Sequence, residues 1–378
     1  MSLMSPIRLM ALIGLIGLIG SCTDHDDLAV EATRPAEAVI GEVRGYTPYY
    51  DETILSGSPT RAWAPPSGYT AYEDGDMPIS IAFTQDDVEP QTGHFFKSSG
   101  KWRTNIDEIE AGNYFLYGYI PNNPGIAFSV TDRDGTNAHY SSGARVSLQN
   151  VPAVMPNNLC VVIGAKDGTD AETVTGLRKG DFAYNAKAIS SNTDGGNYVF
   201  LLFDHLYAAL RIKMRVHGDY DALRTIKLKS LSLKIEAGET TSATKTDIVI
   251  DLKATDGTDP IQSITYTPNG EAISEPLEFW SSAAGDTLTT SYSTFTGHFM
   301  PQDITTLVLT SVYDVYDKKG NLLRQDCKAT NTMALRDLLT EQTTTRRGCR
   351  YTINMTIKPT YLYVLSEPDL NNPTVTID

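Results

Sequence analysis

The sequence has no N-terminal apolar run long enough to cross a bilayer as a helix, which takes about 20 residues. Its run "LMALIGLIGLIG", residues 9–20, has twelve. Tryptophan (3) and cysteine (4) are scarce. No CxxC and no repeated cysteine spacing occurs, which argues against a structural zinc site. HExxH, GxSxG, a Walker loop and a dinucleotide fingerprint are all missing, so no motif supports an enzyme. Positive charge is also short, with 31 Lys and Arg against 46 Asp and Glu and a net charge of −15. Nucleic-acid binding needs a basic face, so no nucleic-acid partner is expected. No cofactor and no metal is expected either.

What remains is a globular composition, 41% hydrophobic and 20% charged, over 378 residues. That length accommodates two ordinary domains. Twenty tyrosines, with abundant Thr, Ser and Gly, favour β-structure rich in turns.

The run at 9–20 has the length of a signal-peptide core, with Arg8 before it. Ile19-Gly20-Ser21-Cys22 then matches the bacterial lipobox: an aliphatic residue, small residues, and a cysteine whose thiol carries the lipid. Residues 1–21 are therefore expected to be a lipoprotein signal and Cys22 the lipidated residue. Asp24, Asp26 and Asp27 follow at once and resemble the acidic tag that sends some lipoproteins to the outer leaflet, facing the medium. A metal site at these aspartates and His25 lacks a scaffold to fix ligand geometry. Of the other cysteines, Cys327 and Cys349 flank a short helical pattern and are able to pair in an oxidising compartment. Buried thiols are the equal alternative, and Cys160 has no evident partner.

Residues 22–61 read as a mixed polar tether in which "AVIGEV" is a candidate strand. From Trp63 the texture changes to short strands between turn signals. Asp-Gly recurs at 74–75, 134–135, 167–168, 194–195 and 256–257. Each is expected to reverse the chain, because Asp-Gly readily supplies the positive φ of tight hairpins. Lys319-Gly320-Asn321 predicts another reversal. Leu210, Ile212, Met214 and Val216 alternate with Arg211, Lys213 and Arg215, the pattern of a half-buried strand. Residues 351–358 alternate in the same way, and 306–316 and 231–237 add two strands. "NTMALRDLLTE" (331–341) reads as a helix, with Asn331 or Thr332 as N-cap. The fold class is all-β with minor helix, arranged as sandwiches. A boundary near residue 215 gives an N-terminal domain over 62–215 and a C-terminal one over 216–378.

The six histidines lack ligand spacing. His205 beside Asp204 is read as structural, since neighbours on a strand point to opposite faces. "DRDG" (132–135) lacks the spaced acceptors of a calcium loop and is read as a turn. "YFLYGYIPNN" (114–123) is an aromatic strand, for core packing rather than sugar stacking.

Four strings carry a resemblance: "AGNYFLYGYIP" (111–121), "FDHLYAALRIKMRV" (203–216), "FMPQDITTLVLTSVYDVYDKKGNLL" (299–323) and "RYTINMTIKPTYLYVLSEPDL" (350–370). In this order, after a lipobox, they resemble the fimbrillin family, the Mfa-like and FimA-like pilins of type V pili. The resemblance implies two tandem transthyretin-like β-sandwich domains in a pilin, or a pilus tip or accessory adhesin. It implies an outer-membrane lipoprotein precursor, cut after an arginine to release an N-terminal strand. Other pilin subunits are then the partners, filling the vacated groove by β-strand addition. Arg34, Arg44 and Arg61 are the candidate cut sites. Arg34 precedes Pro35 and Arg44 lies in "AVIGEVRGY", the candidate strand with the residues that follow it, so Arg61, where the tether meets the folded texture, is preferred. The tail "YLYVLSEPDLNNPTVTID" is a candidate donor strand, but Pro368 and Pro373 interrupt it, leaving "PTVTID" as a short trailing strand. The alternative reading is a monomeric surface lipoprotein that binds glycans.

Overall fold

The alternation at 210–216 folds as expected, with Leu210, Ile212, Met214 and Val216 fully buried and the cations between them half-buried. The structure is a computed structural model that describes residues 40–50, 69–72, 76–107, 109–168, 176–188, 197–236, 243–302, 306–334, 344–358 and 374–377. Among the described residues the fold is twenty-two strands, with one four-residue helix, α1 (Gly218–Asp221), and a 3₁₀ turn.

The strands form four sheets. The largest runs β2 (Tyr69–Ala71), β1 (Ile40–Pro48), β12 (Asn197–His205), β10 (Cys160–Gly168), β6 (Gly112–Ile120), β3 (Ile79–Thr84), β4 (Gln91–Ser98) and β5 (Lys101–Thr104). β11 (Ala183–Ala186) also pairs with β6. The second sheet is β16 (Ile261–Ala272), β15 (Ala243–Lys253), β8 (Gly143–Pro152) and β7 (Ala127–Asp132). The third is β22 (Thr374–Ile377), β21 (Arg350–Ile357), β13 (Ala208–Val216), β18 (Ser293–Phe299) and β9 (Val154–Met155). The fourth is β17 (Leu277–Leu288), β14 (Arg224–Glu236), β19 (Thr306–Asp317) and β20 (Leu322–Ala334).

Both faces of the large sheet are buried, which explains why β10 and β12 read as nearly unbroken apolar runs rather than alternating ones. On one face Tyr117, Tyr119, Val161, Ile163, Phe200 and Leu202 pack with Val146, Leu148, Ile248 and Ile250 of the second sheet. On the other the sheet curls until β5 comes back against β1, enclosing Ile81, Phe83, Phe95, Leu116, Val162, Leu201 and Phe203. The third and fourth sheets form a sandwich over Leu210, Ile212, Met214, Met355, Ile226, Leu228, Leu233 and Leu309. Each such side chain contributes about 1.5–3 kcal/mol when fully buried.

Sheet membership crosses residue 215 in both directions. β15 follows that residue in sequence yet pairs with β8, with β16 on its other side, and β9 precedes it yet pairs with β18. The halves 62–215 and 216–378 are thus interleaved rather than serial, because long β-connections return strands to the first sandwich.

Two turn expectations hold well. Gly257 (φ 79°) lies between β15 and β16, and Gly320 (φ 87°) lies between β19 and β20. Asp134-Gly135 also falls between paired strands, β7 and β8. Asp167-Gly168 departs from expectation by ending β10, opposite Val199 and Tyr198. There the glycine is needed for space, since a Cβ at 168 would sit 2.4 Å from Phe200 Cε2. Asp74-Gly75 and Asp194-Gly195 lie outside the described residues. The helix expected at 331–341 is not found at its start. Asn331–Ala334 continue β20, where Asn331 pairs with Leu309 and Met333 with Leu307. Cross-strand pairing there overrides the helical spacing; residues 335–343 lie outside the described residues. "PTVTID" supplies β22, antiparallel to β21.

Candidate functional site: the N-terminal strand and its anchorage

The candidate strand of the tether is real. β1 runs parallel to β12, from Ile40 opposite Asn197 to Tyr46 opposite Leu202, and its end pairs antiparallel with β2. A parallel partner 150-odd residues away in sequence cannot arise from a hairpin. The strand is an addition to the edge of β12, held by side chains as well as by the ladder. Ile40 and Val43 are buried in the enclosed face of the large sheet. Gly45 lies over Phe203, so close that a Cβ would meet Phe203 Cε2 at 2.5 Å. Its carbonyl accepts a hydrogen bond from the Tyr72 amide (3.0 Å). Arg44, opposite Phe200, faces away and pairs with Glu42 (2.7 Å).

Beyond β1 the chain is fastened by two histidines. His205, at the end of β12, has its Nε2 2.9 Å from the Pro48 carbonyl. A carbonyl only accepts, so Nε2 carries the proton and Nδ1 is the acceptor, here for the Asn158 amide at 2.7 Å. His298, on β18, has Nδ1 2.9 Å from the Pro156 carbonyl, so Nδ1 is protonated. Its Nε2 accepts the Tyr50 hydroxyl at 2.9 Å. The Tyr50 ring stacks on His205 with centroids 4.4 Å apart, and the Arg350 guanidinium lies 5.1 Å from the ring centre. Both imidazoles are almost fully buried, 1% and 5% exposed. Burial pushes His298 down to about 4, and His205 and Arg350 push the same way against the Pro156 carbonyl. One residue of the N-terminal segment, Tyr50, therefore touches strands of two different sheets.

No protein-family model and no curated protein sequence matches the chain. Solved structures do. A Bacteroides fragilis protein assigned to cell adhesion aligns over 90% of this chain and 97% of its own, with TM-score 0.41 and 11% identity. A fimbrial protein from Bacteroides vulgatus aligns over 79% of this chain and 91% of its own, with TM-score 0.31 and 14% identity. A Bacteroides uniformis protein assigned to cell adhesion gives 80% and 90%, TM-score 0.33 and 11% identity. Likeness at this level assigns neither an activity nor a partner.

Cys160 approaches the same cluster, with Sγ 3.6 Å from His205 Nδ1. The trio Asn158, Cys160 and His205 does not form a nucleophilic triad. The amide and the thiol converge on one ring nitrogen, the other is taken by Pro48, and the thiol is wholly buried. Asp204 and His205 do point apart, as expected of strand neighbours. Asp204 is buried and accepts from Arg347 Nη1 at 2.7 Å. Burial disfavours the Arg347 charge, yet the Asp204 carboxylate outweighs it and raises the arginine.

The remaining expected sites fall as follows. Cys22, Asp24, Asp26, Asp27, Arg34 and Arg61 lie outside the described residues. Cys327 and Cys349 are not joined. Cys327 sits on β20 opposite Tyr313, while Cys349 precedes β21 and turns its Sγ to the Arg347 carbonyl (3.6 Å). The two sulfurs belong to different sheets, so proximity to one short segment in sequence does not bring them together. Asp132 of "DRDG" organises a loop rather than a cation. It accepts from the Thr136 amide and hydroxyl (2.7 and 2.8 Å) and from the Ala138 and His139 amides. Among the described residues no cluster of metal-ligating side chains occurs. The aromatic strand is core: Tyr114, Leu116, Tyr117 and Tyr119 are all buried. Among the described residues, Tyr49 and Tyr292 are the exposed large aromatics.

Sequence reasoning missed Pro48, Tyr50 and His298 as a group. Tyr49-Tyr50 directly after a candidate strand was the available signal. Nothing in the sequence ties it to histidines roughly 150 and 250 positions away.

Proposed function

We propose that this chain is a fimbrial subunit, or a tip or accessory adhesin of a fimbria, assembled at the bacterial surface by strand exchange. The observation that carries the proposal is β1 itself. It pairs in parallel along β12, its apolar side chains complete an enclosed core, and Arg61 follows it in the chain before β2. A cut after Arg61 breaks the covalent link between β1 and the rest of the fold, leaving the strand held by its pairing and packing alone. Departure of the strand then opens a groove lined by Phe203, Leu201 and Val199, whose apolar surface favours coverage by another strand. Before the cut, lipid on Cys22 holds the precursor at the outer membrane and Asp24, Asp26 and Asp27 direct it outward. After the cut the lipid stays with the released strand. Arg44 is the poorer site, because it lies within the β12 ladder and a protease takes extended, unpaired chain.

The test is to treat the purified full chain with an Arg-specific protease, sequence the new N-terminus and run the product unheated in SDS. The expected result is a start at Ala62 and a ladder of SDS-resistant oligomers. An uncut chain, a start at Gly45, or a cut product that stays monomeric overturns the proposal.

A further inference from the structure

We infer that the β19–β20 hairpin tip of one copy docks on the β3–β4 loop of a second copy, so that chains associate end to end. The inference goes beyond strand exchange, because no strand is transferred and the chain stays uncut.

Six large hydrophobic side chains are exposed among the described residues, and four of them gather at two places. Leu322 and Leu323 open β20 at the hairpin tip, 47% and 46% exposed. Thr225, Tyr316 and Leu322 form one row across β14, β19 and β20, and exposed Leu223 stands two residues before Thr225. Exposed Val88 lies in the β3–β4 loop. Grouped apolar side chains on a surface mark a contact with another molecule more readily than scattered ones.

The two places carry opposite charge. "DKKGNLLR" (317–324) has three cations and one carboxylate, whereas "QDDVEP" (85–90) has three carboxylates and no cation. The one carboxylate of the tip is spent on its turn: Asp317 accepts from the Lys319 and Asn321 amides and from Asn321 Nδ2, each at 2.8 Å. Lys318 reaches Asp221 at 3.3 Å, and among the described residues Lys319 is in no ion pair. In the loop the partners are uncharged. Asp86 accepts from the Ser141 amide and hydroxyl (2.9 and 2.7 Å), and Glu89 accepts from Asn137 Nδ2 (2.9 Å). A basic, apolar tip on a chain of net charge −15 therefore finds its complement on another copy of that chain. Both surfaces are already fixed, since Gly320 holds φ 87° in the turn and the Asp87 amide donates to the Asn137 carbonyl (2.9 Å). Docking then orders little that was loose.

The topology keeps the two places apart within one chain. The β3–β4 loop rests on the turn before β8, and β8 spans about 30 Å from there to Pro152. At that end Ala153 joins the sandwiches, bonded to Thr244 on one side and Met300 on the other. β13 leaves this junction with Ala208 opposite Phe299 and ends at Val216, ahead of α1. β14 then starts with Arg224 opposite Asp317. Loop and tip thus lie at the ends of their own sandwiches that are remote from the junction. A contact between two different surfaces leaves one of each free on every assembly, so it extends rather than closes.

The experiment mixes isotope-labelled and unlabelled full, uncut chain, applies a zero-length carbodiimide cross-linker and maps the joined peptides by mass spectrometry. Mixed-isotope peptides joining Lys318 or Lys319 to Asp86, Asp87 or Glu89 are expected. Sedimentation velocity should show association that grows with concentration, weak because the contact is small, and weakened several-fold by high salt. L322S/L323S removes the apolar part of the tip and should weaken association by about ten- to a hundred-fold. K318E/K319E and D87K/E89K should each abolish self-association. An equal mixture of those two should restore it, because each supplies the surface that the other lacks, which also shows that both are folded. Cross-links confined to one isotope, no association at any concentration, association unchanged in K318E/K319E, or a mixture that stays monomeric overturns the contact. So does co-sedimentation with vesicles of anionic lipid that L322S/L323S abolishes, which would give the hairpin tip to a membrane. None of these outcomes bears on cleavage after Arg61, so this contact and the strand-exchange proposal fail separately.

Discussion

Gly45→Ala is the sharpest perturbation of β1, because it adds one methyl group at the point where strand and core come closest. The added Cβ would lie 2.5 Å from Phe203 Cε2 and 3.2 Å from Cδ2, against 3.4–4 Å for ordinary contact. The ring has little room to yield: Phe203 is fully buried and Tyr72 lies against it at 6.0 Å between centroids. The strand must therefore rise by about 1 Å, which strains the Gly45 pairing with Leu201 and the hydrogen bond from Tyr72. Overpacking of this kind costs about 1–3 kcal/mol. If that energy falls on β1 alone, its opening increases by about 5- to 150-fold, at 1.4 kcal/mol per factor of ten. Hydrogen exchange over 40–48 reads the change directly, with β19 as the internal control. Exchange of β1 within two-fold of wild type would refute the docking described here. Equal loosening of β19 would show instead that β1 and the distant sandwich unfold as one unit.

Three further outcomes are expected. Arg347→Met leaves the Asp204 carboxylate buried without its partner, and should lower stability to chemical denaturation by about 3–5 kcal/mol, with Asp204→Asn in the same chain restoring part of the loss. Asp132 is held at about 2 by the Thr136 hydroxyl and the amides of Thr136, Ala138 and Asn137, against the opposing effect of burial. Its contribution is therefore present above about 4 and lost as pH falls through 2. Asp132→Asn should be less stable than wild type at pH 7 by about 2 kcal/mol, and the gap measured by thermal melting should close as pH falls toward 2. Finally, an unreduced sample should keep the mass of thiols at Cys327 and Cys349. A thiol reagent should reach half-buried Cys327 before buried Cys160 and Cys349, as peptide mapping would show.

The parts of this fold legible in the sequence are those decided by neighbours in the chain. β13 was readable because one of its faces meets a core and the other carries Arg211, Lys213 and Arg215. Gly257 and Gly320 were readable because a turn with positive φ is a local demand. β20 was misread as a helix at Asn331 because Met333, spaced like a helical core position, is held instead by Leu307 across a ladder. Asp167-Gly168 was misread as a turn because the need for a missing side chain came from Phe200, thirty-odd residues away, and not from the backbone. The pairing of β15 with β8 was illegible for the same reason: no local feature of 243–253 announces it. The candidate site divides along the same line. β1 was visible as "AVIGEV", but its anchorage joins Pro48 and Tyr50 to His205 and His298, none of which carries a recognisable spacing. A scattered histidine is ordinarily a structural one, and these two are structural in that sense. What the sequence does not show is that they fasten one short segment, Pro48–Tyr50, to strands of two different sheets. A side chain's role is set by its partners, so it becomes legible only when the partners are known.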